Sequence, residues 1–128
     1  MTNQSILVVD DDPFMRAFAE AVLSAADFDV VTAASAAEGV AKFAAKQPDL
    51  IILDYAMPEM GGPGALKEMA SIADLPPVIV LSAWGPDAVR TEMRKLGASW
   101  LEKPVSSQAL VSAVHDELAR QGARLARV

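Results

Sequence analysis

The 128-residue sequence contains no cysteine and one histidine. The lack of cysteine excludes a disulfide framework and a thiolate metal site, and it favours a reducing compartment such as the cytoplasm. Positive charge is also scarce: the net charge is -6 and the pI is near 4.6, which argues against direct nucleic-acid binding by this domain. Three arginines near the C-terminus are more typical of a solvated helix end or a linker: Arg120, Arg124 and Arg127.

The sequence also lacks the features of an exported or membrane protein. Residues 1–5 carry no basic segment, and every apolar run is much shorter than the roughly 20 residues that span a bilayer. We therefore expect a cytoplasmic protein with no membrane partner. Hydrophobic residues make up 52% of the chain, which is enough for the core of one domain of ordinary size.

The sequence does contain short apolar runs that end in polar residues. Residues 50–53 are apolar and mostly branched, and they lead directly into Asp54, with Pro58 close behind. A continuous apolar run is typical of a strand that is buried on both faces, so we predict a central parallel strand ending at Asp54. Open α/β sheets place their chemistry at the carboxyl ends of such strands.

Four more apolar runs alternate with segments of helical spacing, which predicts an α/β fold with five parallel strands and five helices. Residues 61–64 (Gly-Gly-Pro-Gly) predict a flexible loop before a short third helix, and Pro86 predicts the start of helix 4, with Val89 facing inward. The first helix should end near Asp27 and carry apolar residues at helical spacing: Phe14, Phe18, Ala21, Val22 and Ala25.

Polar side chains follow four of the predicted strands: Asp10, Asp11, Asp54, Ser82 and Lys103. Each alone has an ordinary explanation, such as a turn acid, a loop hydroxyl or a solvated lysine, and Asp12 is best explained as a helix cap. If strand 2 is an outer strand and strands 1, 3, 4 and 5 are neighbours, all these polar ends meet at one edge. We therefore interpret them together as one site.

The charges in this cluster predict its ligand. Two carboxylates about 4 Å apart repel by roughly 4 kcal/mol at an effective dielectric constant of about 20, and Lys103 can offset only one of them. An all-oxygen site with this excess charge suits Mg²⁺, with Mn²⁺ as a substitute, and such a site binds phosphate oxygens. Asp54 would then be the nucleophile, with Ser82 and Lys103 binding the other phosphoryl oxygens.

These residues, over essentially the whole chain, resemble the receiver domain of bacterial two-component response regulators. The matching features are the acid pair Asp10-Asp11 after residues 6–9, Asp54 before Met57-Pro58, Ser82-Ala83, and Lys103-Pro104. The resemblance implies a flavodoxin-like, doubly wound sheet with strand order 2-1-3-4-5. It also implies that Asp54 accepts a phosphoryl group from a histidine kinase or a histidine phosphotransfer protein.

The resemblance further implies the role of each site residue. Asp11, Asp54 and the backbone carbonyl of Ala56 would bind Mg²⁺, with Asp10 acting through bound water. Ser82 and Trp100 would form the switch.

The lysine and proline after strand 5, Lys103 and Pro104, would be joined by a cis bond. The protein would be a phosphoacceptor, not an enzyme with a separate substrate. Phosphorylation would remodel the face of helix 4, strand 5 and helix 5, which could bind an output partner or effector domain or form a homodimer.

Four positions depart from the pattern of the family. Trp100 replaces a usual Tyr or Phe, and Gly61 stands where an aspartate is common. Ala56 and Trp84 replace polar residues that often occur two positions after the acceptor and after the switch hydroxyl. Because neither would guide a water to the acyl phosphate, we expect slow hydrolysis.

Two other functions fit the sequence less well. An aspartyl-phosphate phosphatase usually needs an acid two residues after its nucleophile, where this chain has Ala56. A flavin carrier needs a phosphate-binding first loop, which Asp10, Asp11 and Asp12 would repel. We expect the receiver domain at residues 1–121 and a tail or the start of a linker at 122–128, in a stand-alone receiver or one cut from a longer protein.

Overall fold

The computed structural model describes residues 3–83 and 87–126, without the side chains of residues 88, 89 and 123–126. The expectations for Trp84, Pro86 and the orientation of Val89 therefore lie outside the described residues. The same holds for the side chain of Arg124 and for Arg127.

Strands and helices alternate along the whole chain, as predicted. The elements are β1 (Ser5–Val9), α1 (Pro13–Ala25), β2 (Asp29–Ala33), α2 (Ala36–Ala45), β3 (Leu50–Asp54), α3 (Gly61–Ile72), β4 (Val78–Ser82), α4 (Asp87–Lys95), β5 (Ala98–Glu102) and α5 (Ser107–Ala126). The last helix therefore continues beyond residue 121, where we expected the domain to end. In the parts of the chain that the structure describes, no helix is long and apolar enough to cross a membrane.

The five strands form one parallel sheet in the order β2-β1-β3-β4-β5, which confirms the expected topology. Every residue of β3 and β4 is buried, because helices cover both faces of the sheet. One core layer contains Phe43, Leu66 and Met93 from α2, α3 and α4. The other contains Leu23 and Leu110 from α1 and α5. All five strand ends therefore meet at one edge.

The predicted apolar face of α1 was partly wrong. The helix buries Ala19 and Leu23, whereas Phe14 is 83% exposed. Apolar residues lie on more than one side of this alanine-rich helix, so its sequence fits two helical phases. The observed phase is the one that packs Leu23 against the sheet.

The prediction of a flexible loop at residues 61–64 was wrong, because this segment forms the first turn of α3. Gly61 has a φ of +68°, and the Gly62 N–H donates to the carbonyl of Tyr55 at 2.9 Å. A Cβ on Gly62 would lie 2.5 Å from the carbonyl oxygen of Asp54. The glycines therefore let α3 start directly against the end of β3, and Pro63 is tolerated where a helix has unpaired N–H groups.

Candidate functional site

The acid pair follows β1. The N–H of Asp10 donates to the carbonyl of Ala33 at 3.1 Å, which continues the pairing of β1 with β2 beyond the strand. The Asp10 side chain is 1% exposed and accepts a 2.9 Å hydrogen bond from the N–H of Asp12. Asp11 is exposed, so the pair combines one buried carboxylate with one that faces solvent. Asp12 caps α1, as predicted, by accepting from the N–H of Phe14 at 3.0 Å.

Asp54 lies at the end of β3 and is 4% exposed. The neighbouring Tyr55 N–H donates to the carbonyl of Leu81 at 2.9 Å, which fixes the backbone just beyond Asp54. Lys103 Nζ lies 3.1 Å from Asp54 Oδ1 and 3.3 Å from Asp10 Oδ2. One ammonium group thus bridges carboxylates from two adjacent strands.

The position of Lys103 is set by its backbone. Its N–H donates to the carbonyl of Ser82 at 2.9 Å, and the Lys103–Pro104 bond is cis, as predicted. The hydrogen bond to Ser82 holds the Lys103 backbone beside the end of β4, and the side chain reaches across this strand to Asp54.

The electrostatics of the site follow from burial and charge. Burial raises the pKa of Asp54 from 3.8 to about 6, and the charge on Asp10 adds to this, while Lys103 opposes it. For Lys103, burial acts to lower the pKa, but the carboxylates of Asp10 and Asp54 outweigh it and raise the pKa. Near neutral pH the site therefore holds a charged lysine and a mostly ionised Asp54.

The carboxylates of Asp10, Asp11 and Asp54 are close enough to share a cation. One oxygen from each lies within 4.8 Å of the other two. Hard oxygen ligands with excess negative charge fit Mg²⁺ or Mn²⁺. Ala56 is exposed on the loop after Asp54, and the direct role of its carbonyl stays a prediction.

The two predicted switch residues lie on neighbouring strands. Ser82 ends β4 and is 3% exposed, which places its hydroxyl at the same edge as Asp54. Trp100 lies further back on β5, paired with Val80. Its indole contacts the ring of Tyr55, with ring centroids 5.5 Å apart. Trp100 thus contacts the residue that follows Asp54.

Comparison with known proteins decides the family. The family model for the response regulator receiver domain matches residues 6–115. The chain belongs to this family. Receiver domains are signalling domains of two-component systems. The sheet order and the likeness to solved structures confirm the expected flavodoxin-like fold.

Three relatives illustrate the likeness. The chemotaxis protein CheY of Thermotoga maritima is 35% identical over 115 residues, which cover 88% of this chain and 96% of that protein. The probable transcriptional regulator ycf27 of Cyanophora paradoxa is 36% identical over 94% of this chain, which spans only 50% of that relative. The solved chemotaxis protein CheY4 of Vibrio cholerae is 29% identical, with a TM-score of 0.83 and coverage of 89% of this chain and 98% of that one.

Sequence reasoning missed four residues around the receiver site. Arg16 donates to the Asp10 carbonyl at 2.9 Å, and Gly62 lets α3 approach Asp54. Tyr55 and Arg90 both contact the Trp100 ring. Only Tyr55, as the neighbour of Asp54, carried a signal in the sequence. The other contacts depend on how the helices pack on the sheet.

Proposed function

We propose that this receiver accepts a phosphoryl group on Asp54 from a phosphohistidine of a histidine kinase or a histidine phosphotransfer protein. The observation that carries the proposal is the bridge from Lys103 Nζ to Asp54 and Asp10 at the end of β3. This ammonium group holds the acceptor in place and can bind an oxygen of the incoming phosphoryl group.

In this proposal an oxygen of Asp54 forms a bond to phosphorus while the bond from phosphorus to the donor nitrogen breaks. The product is an acyl phosphate on Asp54 and a free histidine on the donor. Asp10, Asp11 and Asp54, with the carbonyl of Ala56, would hold Mg²⁺. The metal would neutralise carboxylate charge and bind a phosphoryl oxygen. The Ser82 hydroxyl, buried at the same edge, would donate to another oxygen.

The surface beside the site is suited to a protein donor. A cavity of about 430 Å³ next to Lys103 is lined mostly by apolar side chains, including Phe14, Met15 and Phe18. The exposed ring of Phe14 therefore forms an apolar rim near the acceptor. We infer that the output partner binds elsewhere, on α4, β5 and α5, and that the domain works in the cytoplasm without binding nucleic acid itself.

The test is incubation of the intact chain with acetyl phosphate and Mg²⁺, followed by mass spectrometry. The parent protein should gain one phosphoryl group, and Asp54→Asn should gain none, because an amide is a poor nucleophile. Asp12→Asn is the matched control, since asparagine also caps helices and Asp12 lies outside the three-carboxylate cluster. A label that persists on Asp54→Asn would place the acceptor elsewhere.

A further inference from the structure

Asp11 depends on its backbone for its place in the carboxylate cluster. Its side chain is exposed, yet one of its oxygens lies within 4.8 Å of oxygens of Asp10 and Asp54. An exposed side chain on an unrestrained turn would sample many positions, so the peptide groups on either side of Asp11 must be held. The structure shows what holds each of them.

The peptide group after Asp11 is held by the other member of the acid pair. The N–H of Asp12 donates to Asp10 Oδ1 at 2.9 Å. The peptide group before Asp11 is held from α1, because Arg16 Nη1 donates to the carbonyl oxygen of Asp10 at 2.9 Å. The Arg16 N–H also donates to the Asp12 carbonyl at 3.0 Å, at the start of α1. Arg16 thus contacts the turn on both sides of Asp11.

The hydrogen bond from Arg16 to Asp10 replaces a missing strand pair. The N–H of Asp10 still bonds to the carbonyl of Ala33, and a parallel ladder would continue from the Asp10 carbonyl to residue 35. However, β2 ends at Ala33, and Ser35 caps α2. Because Asp10 is buried, its carbonyl needs another donor, and the Arg16 guanidinium supplies it.

The charge of Arg16 also acts on a carboxylate of α2. The pKa of Glu38 is lowered mainly by hydrogen bonds from Lys42 and from the N–H of Ala34, and the charge of Arg16 adds to this. The bond from Ala34 is 3.2 Å long and lies in the turn after β2. Arg16 therefore lies between the turns that follow β1 and β2, which favours the observed direction of its side chain.

We propose that Arg16 is a positioning residue for the cation site: it fixes the peptide group between Asp10 and Asp11 and so sets where the Asp11 carboxylate lies. This inference rests on the proposed function, in which Asp11 binds Mg²⁺. Arg16 has two effects on that ion, and they have opposite signs. Its positive charge repels Mg²⁺, and solvent around the exposed Asp11 weakens this effect. Its hydrogen bond preorganises a ligand, which is the larger effect.

Calorimetric titration with Mg²⁺ separates the two effects. Arg16→Met removes the charge and the hydrogen bond but keeps an extended side chain, whereas Arg16→Lys keeps the charge and one flexible donor. Arg120→Met is the matched control, because it also removes one positive charge from a helix surface, where Arg120 pairs with Glu117. Urea denaturation of each protein separates a loss of stability from a loss of affinity.

Arg16→Met should bind Mg²⁺ roughly ten-fold more weakly than the parent, the low end of the cost of losing a group that orients a metal ligand. Arg16→Lys should recover part of this loss, and Arg120→Met should match the parent. In the metal-free proteins, the Asp12 amide should exchange with water several-fold faster in Arg16→Met, because the turn is then less restrained. NMR measures this exchange at the single residue.

Equal or tighter Mg²⁺ binding by Arg16→Met would overturn the inference, since loss of the charge alone predicts tighter binding. A loss of stability with unchanged affinity would overturn it too. If Arg16→Met does not fold, Arg16→Lys carries the comparison: weaker Mg²⁺ binding at the same net charge supports the inference, and equal affinity contradicts it. If the parent binds no Mg²⁺, the proposed function fails instead, and the Asp12 exchange still decides whether Arg16 holds the turn.

Discussion

The two halves of the receiver site are built differently. Strands β1 and β3 carry the carboxylates Asp10, Asp11 and Asp54, and β3 is buried along its whole length. Strand β5, which carries Trp100 and precedes Lys103, is a partly exposed edge strand, and among the side chains of α4 that the structure describes, Arg90 forms an ion pair with Glu102 of this strand. We therefore expect the first half to hold charge in a fixed place and the second half to respond to phosphorylation.

This difference matters because a phosphorylation switch needs both properties. In the proposed function, Asp54 and the carboxylates that would bind the metal must be held in place before the reaction, which a buried central strand achieves. A response requires an element whose two arrangements differ little in free energy, and such elements have few buried apolar contacts. The predictions below therefore separate two sets of substitutions. The carboxylate half comprises Asp10, Asp11 and Asp54 with the loop after β3, and the β4–β5 half comprises Ser82, Trp100 and Lys103.

The largest effect is expected for metal binding in the carboxylate half. Asp11→Asn should weaken Mg²⁺ binding roughly 100-fold, because it removes a charged ligand from the cluster. Asp10→Asn should weaken it less, since we assign Asp10 a contact through water. Calorimetric titration of both variants, with Asp12→Asn as the control, measures this order. Unchanged affinity in Asp11→Asn would break the ligand assignment.

The next effect concerns stability and pH. The folded pKa of Asp54 is about 6 against 3.8 for the ordinary group, so the folded state binds the proton more tightly. Its contribution to stability is present below about pH 4 and is lost as the pH rises through about 6. Without metal, we compare the free energy of unfolding of Asp54→Asn with that of the parent. The difference, variant minus parent, should be about 1–2 kcal/mol larger at pH 7.5 than at pH 4.

Urea denaturation of both proteins in EDTA at these two pH values provides the measurement. The contributions of other groups cancel to first order in the difference between parent and variant. Addition of Mg²⁺ should stabilise the parent and reduce the gap. If the difference between variant and parent is the same at both pH values, burial of the ionised Asp54 does not destabilise the folded state.

A smaller effect on chemistry is expected in the β4–β5 half. Ser82→Ala and Lys103→Ala should still accept some phosphate, because Asp54 remains, but they should lose the accompanying change in α4 and β5. Amide hydrogen exchange with and without beryllofluoride measures this, with the exposed Ser71→Ala as a control. An unchanged exchange difference in both variants would remove Ser82 and Lys103 from the signalling path.

The smallest effect is expected on the lifetime of the phosphoryl group. Ala56 is exposed on the loop after Asp54 and offers no side chain to orient a water, so Ala56→Asn should speed hydrolysis a few-fold. Ala34→Asn, at another exposed loop position, is the control. Dephosphorylation is followed at constant Mg²⁺. Equal rates in parent and Ala56→Asn would show that position 56 does not control the water.

The carboxylate half was largely predictable from the sequence. Continuous apolar runs end directly at Asp10 and Asp54, and parallel strands bring their carboxyl ends together, so the cluster follows from local pattern and topology. Lys103 was also predictable, because it follows the fifth strand directly. In each case the residue is placed by the strand that it ends.

The β4–β5 half was less predictable, because its contacts depend on helix packing. Nothing in the local sequence places Arg90 over Trp100, since the pair depends on how α4 lies across β5. The predicted buried face of α1 was partly wrong for a related reason. Its apolar residues lie on two sides of the helix, and packing against the sheet determines which side is buried. The loop at residues 61–64 was predicted because glycine is a weak helix former. In the structure, the lack of a Cβ on Gly62 instead permits α3 to begin directly against the end of β3.

The most direct test of this account is amide hydrogen exchange of the parent protein with Mg²⁺, in the presence and absence of beryllofluoride. Ligand binding at Asp54 should change exchange mainly in α4, in β5 and at the start of α5, while β1 and β3 keep their protection. That result would show chemistry held on one half of the sheet and a response on the other. A change that is largest in β1 and β3, or uniform across the sheet, would contradict the account.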